Sequence, residues 1–200
     1  MIVKTYPVSF EVAGPAAMYA RPDTGSSPVS YPVPTRTALK SMFEAVALSK
    51  EAFFHLLKIE LCTPVVYHKY TTNYGGPLKE SNEMNFQIFS TVLENVCYKV
   101  YGETKAYSSP RSGDNSQHML QEVFLRRLKF GQFHSTPFLG WKEFVPTYFG
   151  DLRETTHVDE SISITIPSML DTMYNRPTDG RLAPAFRQDV RIEKGVMYYD

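Results

Sequence analysis

At 200 residues, with 42% hydrophobic and 21% charged side chains, the chain has the length and composition of one globular domain with a buried core. Its 21 Lys and Arg balance its 21 Asp and Glu, which excludes a diffuse basic surface and confines any nucleic-acid site to a local patch. No run approaches the ~20 apolar residues of a membrane span and the first ten residues lack a signal-peptide stretch, so the cytoplasm is the expected compartment, with no membrane partner.

The first element is a half-buried strand over Val3 to Val12, with Val8, Phe10 and Val12 on one face, expected to end at Gly14-Pro15. Five prolines from Pro15 to Pro34 predict an ordered but irregular loop. Thr35 or Thr37 caps a helix to about Leu48, with Leu39, Met42, Phe43 and Val46 on its core face. A strand is expected over Lys58 to Tyr67, interrupted at Pro64, and the polar stretch from His68 to Asn85 reads as a projecting loop or hairpin. Val92 to Tyr107 alternates as a second strand. Asn115 or Ser116 then caps a helix whose stripe is Met119, Leu120, Val123, Phe124 and Leu128, with Gly131 as its stop.

The rest is strand-rich: an aromatic run from Phe138 to Tyr148, an alternation from Ile162 to Ile166, and a hairpin over Val190 to Tyr199 around Glu193-Lys194-Gly195. Strand, helix, strand, strand, helix, strand is the pattern of an α+β, ferredoxin-like domain, here with a β-rich C-terminal extension. The expectation is a single domain over 1–200, its ferredoxin-like core at about 1–135 and the β-rich part at about 136–200. The two cysteines, Cys62 and Cys97, fit neither a zinc nor a CxxC spacing and read as reduced core residues.

Three segments resemble the CRISPR-associated Cas5 family of the RAMP superfamily, in particular its type I-C branch. They are FEVAGPAAMYARPDTGSSPVSYPVPTRTALKSMFEAVA from Phe10 to Ala47, the strand from Val92 to Tyr107, and FLRRLKFGQ followed by PFLGWKEF between His118 and Phe144. In the last, Trp141-Lys142 stands where the family carries a small residue and Arg. The resemblance implies an RRM-like core and a subunit of a class 1, Cascade-like effector in antiviral or anti-plasmid defence. Such a subunit caps the crRNA 5′ handle, touches a backbone subunit and the large subunit, and meets target DNA indirectly through the complex. It needs no cofactor and no metal.

Members of that branch also cleave precursor crRNA without metal, through a Lys-His pair before the long helix and a Tyr near the end of the first. Those positions here are Gln117-His118 and Ala47, so the resemblance leaves His118 as the matching catalytic residue. No other set is convincing: His55, His68, His134 and His157 lack metal-ligand spacing, and Gly75-Gly76-Pro77 lacks the Lys of a phosphate loop.

RNA binding needs cations for phosphates and aromatics for bases. The candidates are Arg21, Tyr31, Arg36 and Lys40 around the first helix; Lys69 and Lys79, with Tyr70 and Tyr74, in the projecting segment; and Arg126 and Arg127, with Lys129, at the end of the second helix. Three readings stay open: a non-catalytic cap of the crRNA 5′ handle, a metal-independent crRNA endoribonuclease rebuilt around His118, and an RRM-like protein-interaction module.

Overall fold

The computed structural model describes residues 5–74, 86–107, 115–174 and 181–199. Alternation forms β1 (Pro7–Ala17), burying Val8, Phe10 and Val12. The strand does not stop at Gly14-Pro15. Pro15 lies between the ladder pairs Gly14–Val96 and Ala16–Glu94, opposite Asn95 at φ 51°, and beyond the last pair with the neighbouring strand at Ala13. Its missing N–H therefore interrupts no ladder there.

Helix α1 (Arg36–Val46) begins at Thr35, whose hydroxyl accepts from the Ala38 N–H at 3.3 Å, and ends where Ala47 turns extended. Leu39, Met42, Phe43 and Val46 are its buried stripe, as the sequence predicts. The single strand expected around Lys58 to Tyr67 is two: β2 (Ala52–Leu61) and β3 (Val66–Tyr74), with Pro64 between them. The 21-residue β4 (Phe86–Ala106) is the longest strand among the described residues. On one side it pairs with β1; on the other it pairs first with β3 and then with β2.

Helix α2 (Ser116–Lys129) starts at Asn115, whose side chain accepts from the His118 N–H at 3.1 Å. It ends in a Schellman turn. Gly131, at φ 61°, donates to the Leu128 carbonyl, and Gln132 donates to that of Arg127. Leu120, Phe124 and Leu128 are buried; Met119, expected in the stripe, is exposed.

The remaining strands are β5 (Tyr148–Gly150), β6 (Ile164–Tyr174), β7 (Leu182–Ile192) and β8 (Val196–Tyr198). The main sheet is antiparallel in the order β5-β1-β4-β2-β8, with β3 also on β4; β6 and β7 form a second, two-stranded sheet. Two strands from beyond residue 136, β5 and β8, are thus the outer strands of the main sheet. The expected hairpin at the C-terminal end is only a tight turn. Lys194 and Gly195 take positive φ (48° and 73°), but β7 and β8 belong to different sheets.

The architecture is mixed α/β, mostly antiparallel sheet, with two helices among the described residues. Both helices lie on one sheet face. Phe43 of α1 meets Phe10, Phe54 and Phe124 at 4.8, 5.0 and 5.4 Å between ring centroids, so one aromatic cluster joins both helices to β1 and β2. The loop after α2 docks on the end of β1 through the Met18 N–H, which donates to the Leu139 carbonyl at 2.9 Å. Gly140, at φ 90°, sits so close that a Cβ would lie 1.8 Å from the Met18 carbonyl oxygen. No helix among the described residues is long and apolar enough to cross a membrane.

Candidate nucleic-acid interface

The best-formed surface is one face of the β3–β4 hairpin. Directly opposed residues share a face of a sheet and alternate ones lie on the other. The pairs Tyr67–Leu93, Lys69–Thr91 and Thr71–Phe89 therefore put Tyr67, Lys69 and Phe89 on one face. Two of these are aromatics left in solvent, Phe89 at 57% and Tyr67 at 46% exposure. A solvated sheet face favours polar side chains, so two open rings beside a lysine ask for a ligand.

Arg21 joins them from the preceding loop. Its backbone N–H donates to Val29 at 2.9 Å, and Val29 bridges to Thr91 of β4. Burial raises the Tyr67 phenol, and the positive field of Arg21 opposes it. Lys69 between the open rings, with Arg21 near Tyr67, can hold phosphates while the rings stack on bases. Part of the Arg21 charge is already matched by Asp23, at 2.7 and 3.1 Å.

The other RNA candidates do not gather there. Tyr31 is 3% exposed; its hydroxyl accepts from the Leu170 N–H at 3.1 Å and its ring lies 6.0 Å beneath Arg21, so it offers no free face to a base. The guanidinium of Arg36 donates to Asp171 of β6 at 2.8 Å and lies over the Tyr199 ring. Lys40 pairs with Glu44 along α1 at 3.6 Å. Arg127 donates to the Val46 carbonyl at 2.9 Å, fastening the end of α2 to the end of α1. Arg126 is exposed. Tyr70 faces away from Lys69 and packs edge-on to Phe144. Lys79 lies outside the described residues, as does the Tyr74 side chain.

His118 occupies a different region. Its imidazole is about half exposed on the first turn of α2, 3.6 Å from Glu122 and edge-on to Tyr6 at 5.6 Å between centroids. The Asn115 amide donates to the Tyr6 hydroxyl, so the residue that caps α2 also positions the ring beside His118. Thr104 of β4 donates to the Gln117 carbonyl at 2.9 Å, fixing this corner to the sheet. Val92 and Thr104 are twelve residues apart on β4, so the strand puts up to roughly 40 Å between the His118 corner and the hairpin at ~3.3 Å per residue. Ala47, the expected tyrosine position, is fully buried. Sequence reasoning missed Tyr6. It also missed Tyr67 and Phe89, whose signal was the shared alternation of two segments read separately.

The sheet face away from the helices is closed in its middle. Glu11 of β1 is 0% exposed and accepts from the Arg153 backbone N–H at 2.8 Å and its guanidinium at 2.7 and 2.5 Å. Lys99 of β4 donates to the carbonyls of Arg153 and Thr156 at 2.9 and 2.5 Å. These contacts strap residues 151–160 across β1 and β4 and occupy the surface there. Among the described residues, no three His, Cys, Asp or Glu side chains converge as metal ligands.

The family model described as CRISPR-associated protein (Cas_Cas5) matches residues 8–193. A CRISPR pre-crRNA endoribonuclease, Cas5d, from Thermus thermophilus is 34% identical over 144 residues, which cover 70% of this chain and 61% of the relative; the match thus spans less than two thirds of that protein's length. Two solved structures share the fold. One, described as a CRISPR-associated protein, superposes with a TM-score of 0.71 at 17% identity over 99% of this chain and 95% of its own. The other, a functionally uncharacterized protein from Streptococcus mutans, gives 0.73 at 16% identity over 100% and 95%.

Proposed function

Because the chain belongs to the CRISPR-associated Cas5 family, we propose that it is a crRNA-binding subunit of a class 1 effector complex, capping the 5′ handle. The observation that carries this reading is the open face of Tyr67, Lys69 and Phe89 beside Arg21. It is a local patch of the kind that a chain with no net charge needs to hold RNA. The order β5-β1-β4-β2, with α1 after β1 and α2 after β4, supports a ferredoxin-like core of RRM type. In an open core of that type, single-stranded RNA stacks on the sheet face. Here the strap of residues 151–160 covers that face, which favours the hairpin instead. A backbone subunit and the large subunit are the protein partners in this proposal, and the cytoplasm its place of action.

Photo-crosslinking of handle RNA to the purified protein tests it. Adducts are expected on the β3 and β4 peptides around Lys69 and Phe89. Adducts confined to the helices would overturn the placement.

A second reading, metal-independent cleavage of precursor crRNA, is favoured by the exposed His118 held beside Tyr6 and by the activity named for the Thermus relative. Cleavage needs a base for the 2′-hydroxyl and a group that supports the developing charge. With Gln117 and a buried Ala47 at the other two positions, the purified protein is expected to leave repeat RNA intact in EDTA. Specific cutting that disappears in His118→Ala would establish this second reading instead.

A further inference from the structure

We infer that Cys62 and Cys97 form a peroxide-sensitive cross-strand dithiol whose oxidation to a disulfide clamps the base of the β3–β4 hairpin. The Cys62 N–H donates to the Cys97 carbonyl at 2.9 Å, extending the β2–β4 register one step beyond Leu61–Tyr98. The Cys97 N–H donates instead to the Thr63 hydroxyl at 3.0 Å; directly opposed antiparallel residues hold their Cα atoms about 4.5–5.5 Å apart, within the ~4.4–6.8 Å that a disulfide spans. Both cysteines are free.

The surroundings divide the roles. Cys62 is half-buried at the turn that follows β2. Cys97 is buried, 3.6 Å from Glu11 and 3.9 Å from the Arg153 guanidinium. Cys62 and Arg153 lower the Cys97 pKa against the effects of burial and Glu11, and the adjacent guanidinium makes Cys97 the attacking sulfur.

Its sulfur attacks hydrogen peroxide; the O–O bond breaks, hydroxide leaves, and a sulfenic acid forms. The Cys62 sulfur then attacks that sulfur. The S–O bond breaks, water leaves, and the S–S bond forms. In sum, two thiols and one peroxide give one disulfide and two waters.

The position gives the bond a consequence. On this side, β4 pairs with β2 up to Tyr98 and with β3 from Glu94 back to Phe86. Between the two ladders lies Asn95 with its left-handed backbone. The cysteine pair sits beside this junction, where β1 holds the other edge of β4. A covalent link there fixes the β2 edge as well and restricts local opening of the hairpin's base. The inference does not depend on what the hairpin binds.

The full-length protein is treated natively with hydrogen peroxide, quenched by alkylation and mapped by peptide mass spectrometry, with amide exchange followed over Val66 to Thr71. Both thiols should vanish together into one intramolecular Cys62–Cys97 peptide that dithiothreitol reverses, and hairpin exchange should slow by about tenfold. Cys62→Ser and, separately, Cys97→Ala should remove both effects. Sulfinic Cys97 beside an unreacted Cys62, a bridge only between two chains, or a bridge that leaves hairpin exchange unchanged would each overturn the inference.

Discussion

At the scale of single residues, the strongest polar contact is Glu11 with Arg153. Burial would raise the Glu11 pKa, but the backbone N–H and guanidinium of Arg153, with Thr156, outweigh it and hold the carboxyl below its usual range. A carboxyl with a lowered folded pKa contributes stability above its unfolded value of ~4.3 and loses it as the pH falls through the folded value. Urea midpoints measured from pH 7 to pH 3 should therefore decline through the acid range, and Glu11→Gln should flatten that decline. At neutral pH the same substitution is expected to cost roughly 1–3 kcal/mol, since Arg153 is 39% exposed and water replaces part of what it loses. Equal acid slopes for the two proteins would refute this account. Local residue roles were legible in sequence: Thr35 and Asn115 cap helices because a cap needs only a partner three residues away. Arg36 and Tyr31 were not legible as tethers, because their partners, Asp171 and Leu170, lie 135 and 139 residues along the chain.

At the scale of elements, Arg36 is what ties α1 to β6. Arg36→Ala should destabilise the fold by about 1.5–3 kcal/mol, the range for a hydrogen bond to a charged group, while leaving the salt dependence of RNA binding unchanged. Denaturant melts alongside RNA titrations separate the two roles; a flattened salt slope would return Arg36 to the RNA surface. The loop after α2 is a second tie. Gly140→Ala must both leave φ 90° and clear the Met18 carbonyl, so a loss of roughly 2–4 kcal/mol is expected in the same melts. A change below ~0.5 kcal/mol would mean that this loop readily moves away from β1. The helices were readable because amphipathic periods and caps coincide. β3 was only half readable. From His68 onward its residues are mostly polar, which reads as a loop or hairpin, and its pairing with β4 is a relation between two segments. The continuation of β1 past Pro15 was hidden for the same reason, since it depends on which neighbour strands have already ended.

At the scale of the whole molecule, the long β4 decides how far apart the two candidate sites lie. It carries the hairpin face at one end and the His118 corner at the other, up to roughly 40 Å away at ~3.3 Å per residue. Neither end touches the other, and the strap held by Glu11 and Lys99 closes the surface between them. A chain with no net charge has no long-range field to couple the two, and substitutions this far apart are expected to add. Lys69→Ala should weaken handle binding and reduce the salt slope by about one unit, as one lost phosphate contact does. Phe89→Ala should cost about 1–3 kcal/mol of stacking without changing that slope. His118→Ala should change neither, and combined with Lys69→Ala it should reproduce the Lys69→Ala titration at every salt concentration. If the His118 substitution instead weakened binding and its effect grew in the combined variant, the RNA would have to run along the molecule from hairpin to helix. The strap would then have to open, and loss of the 151–160 contacts on RNA binding would be visible by amide exchange.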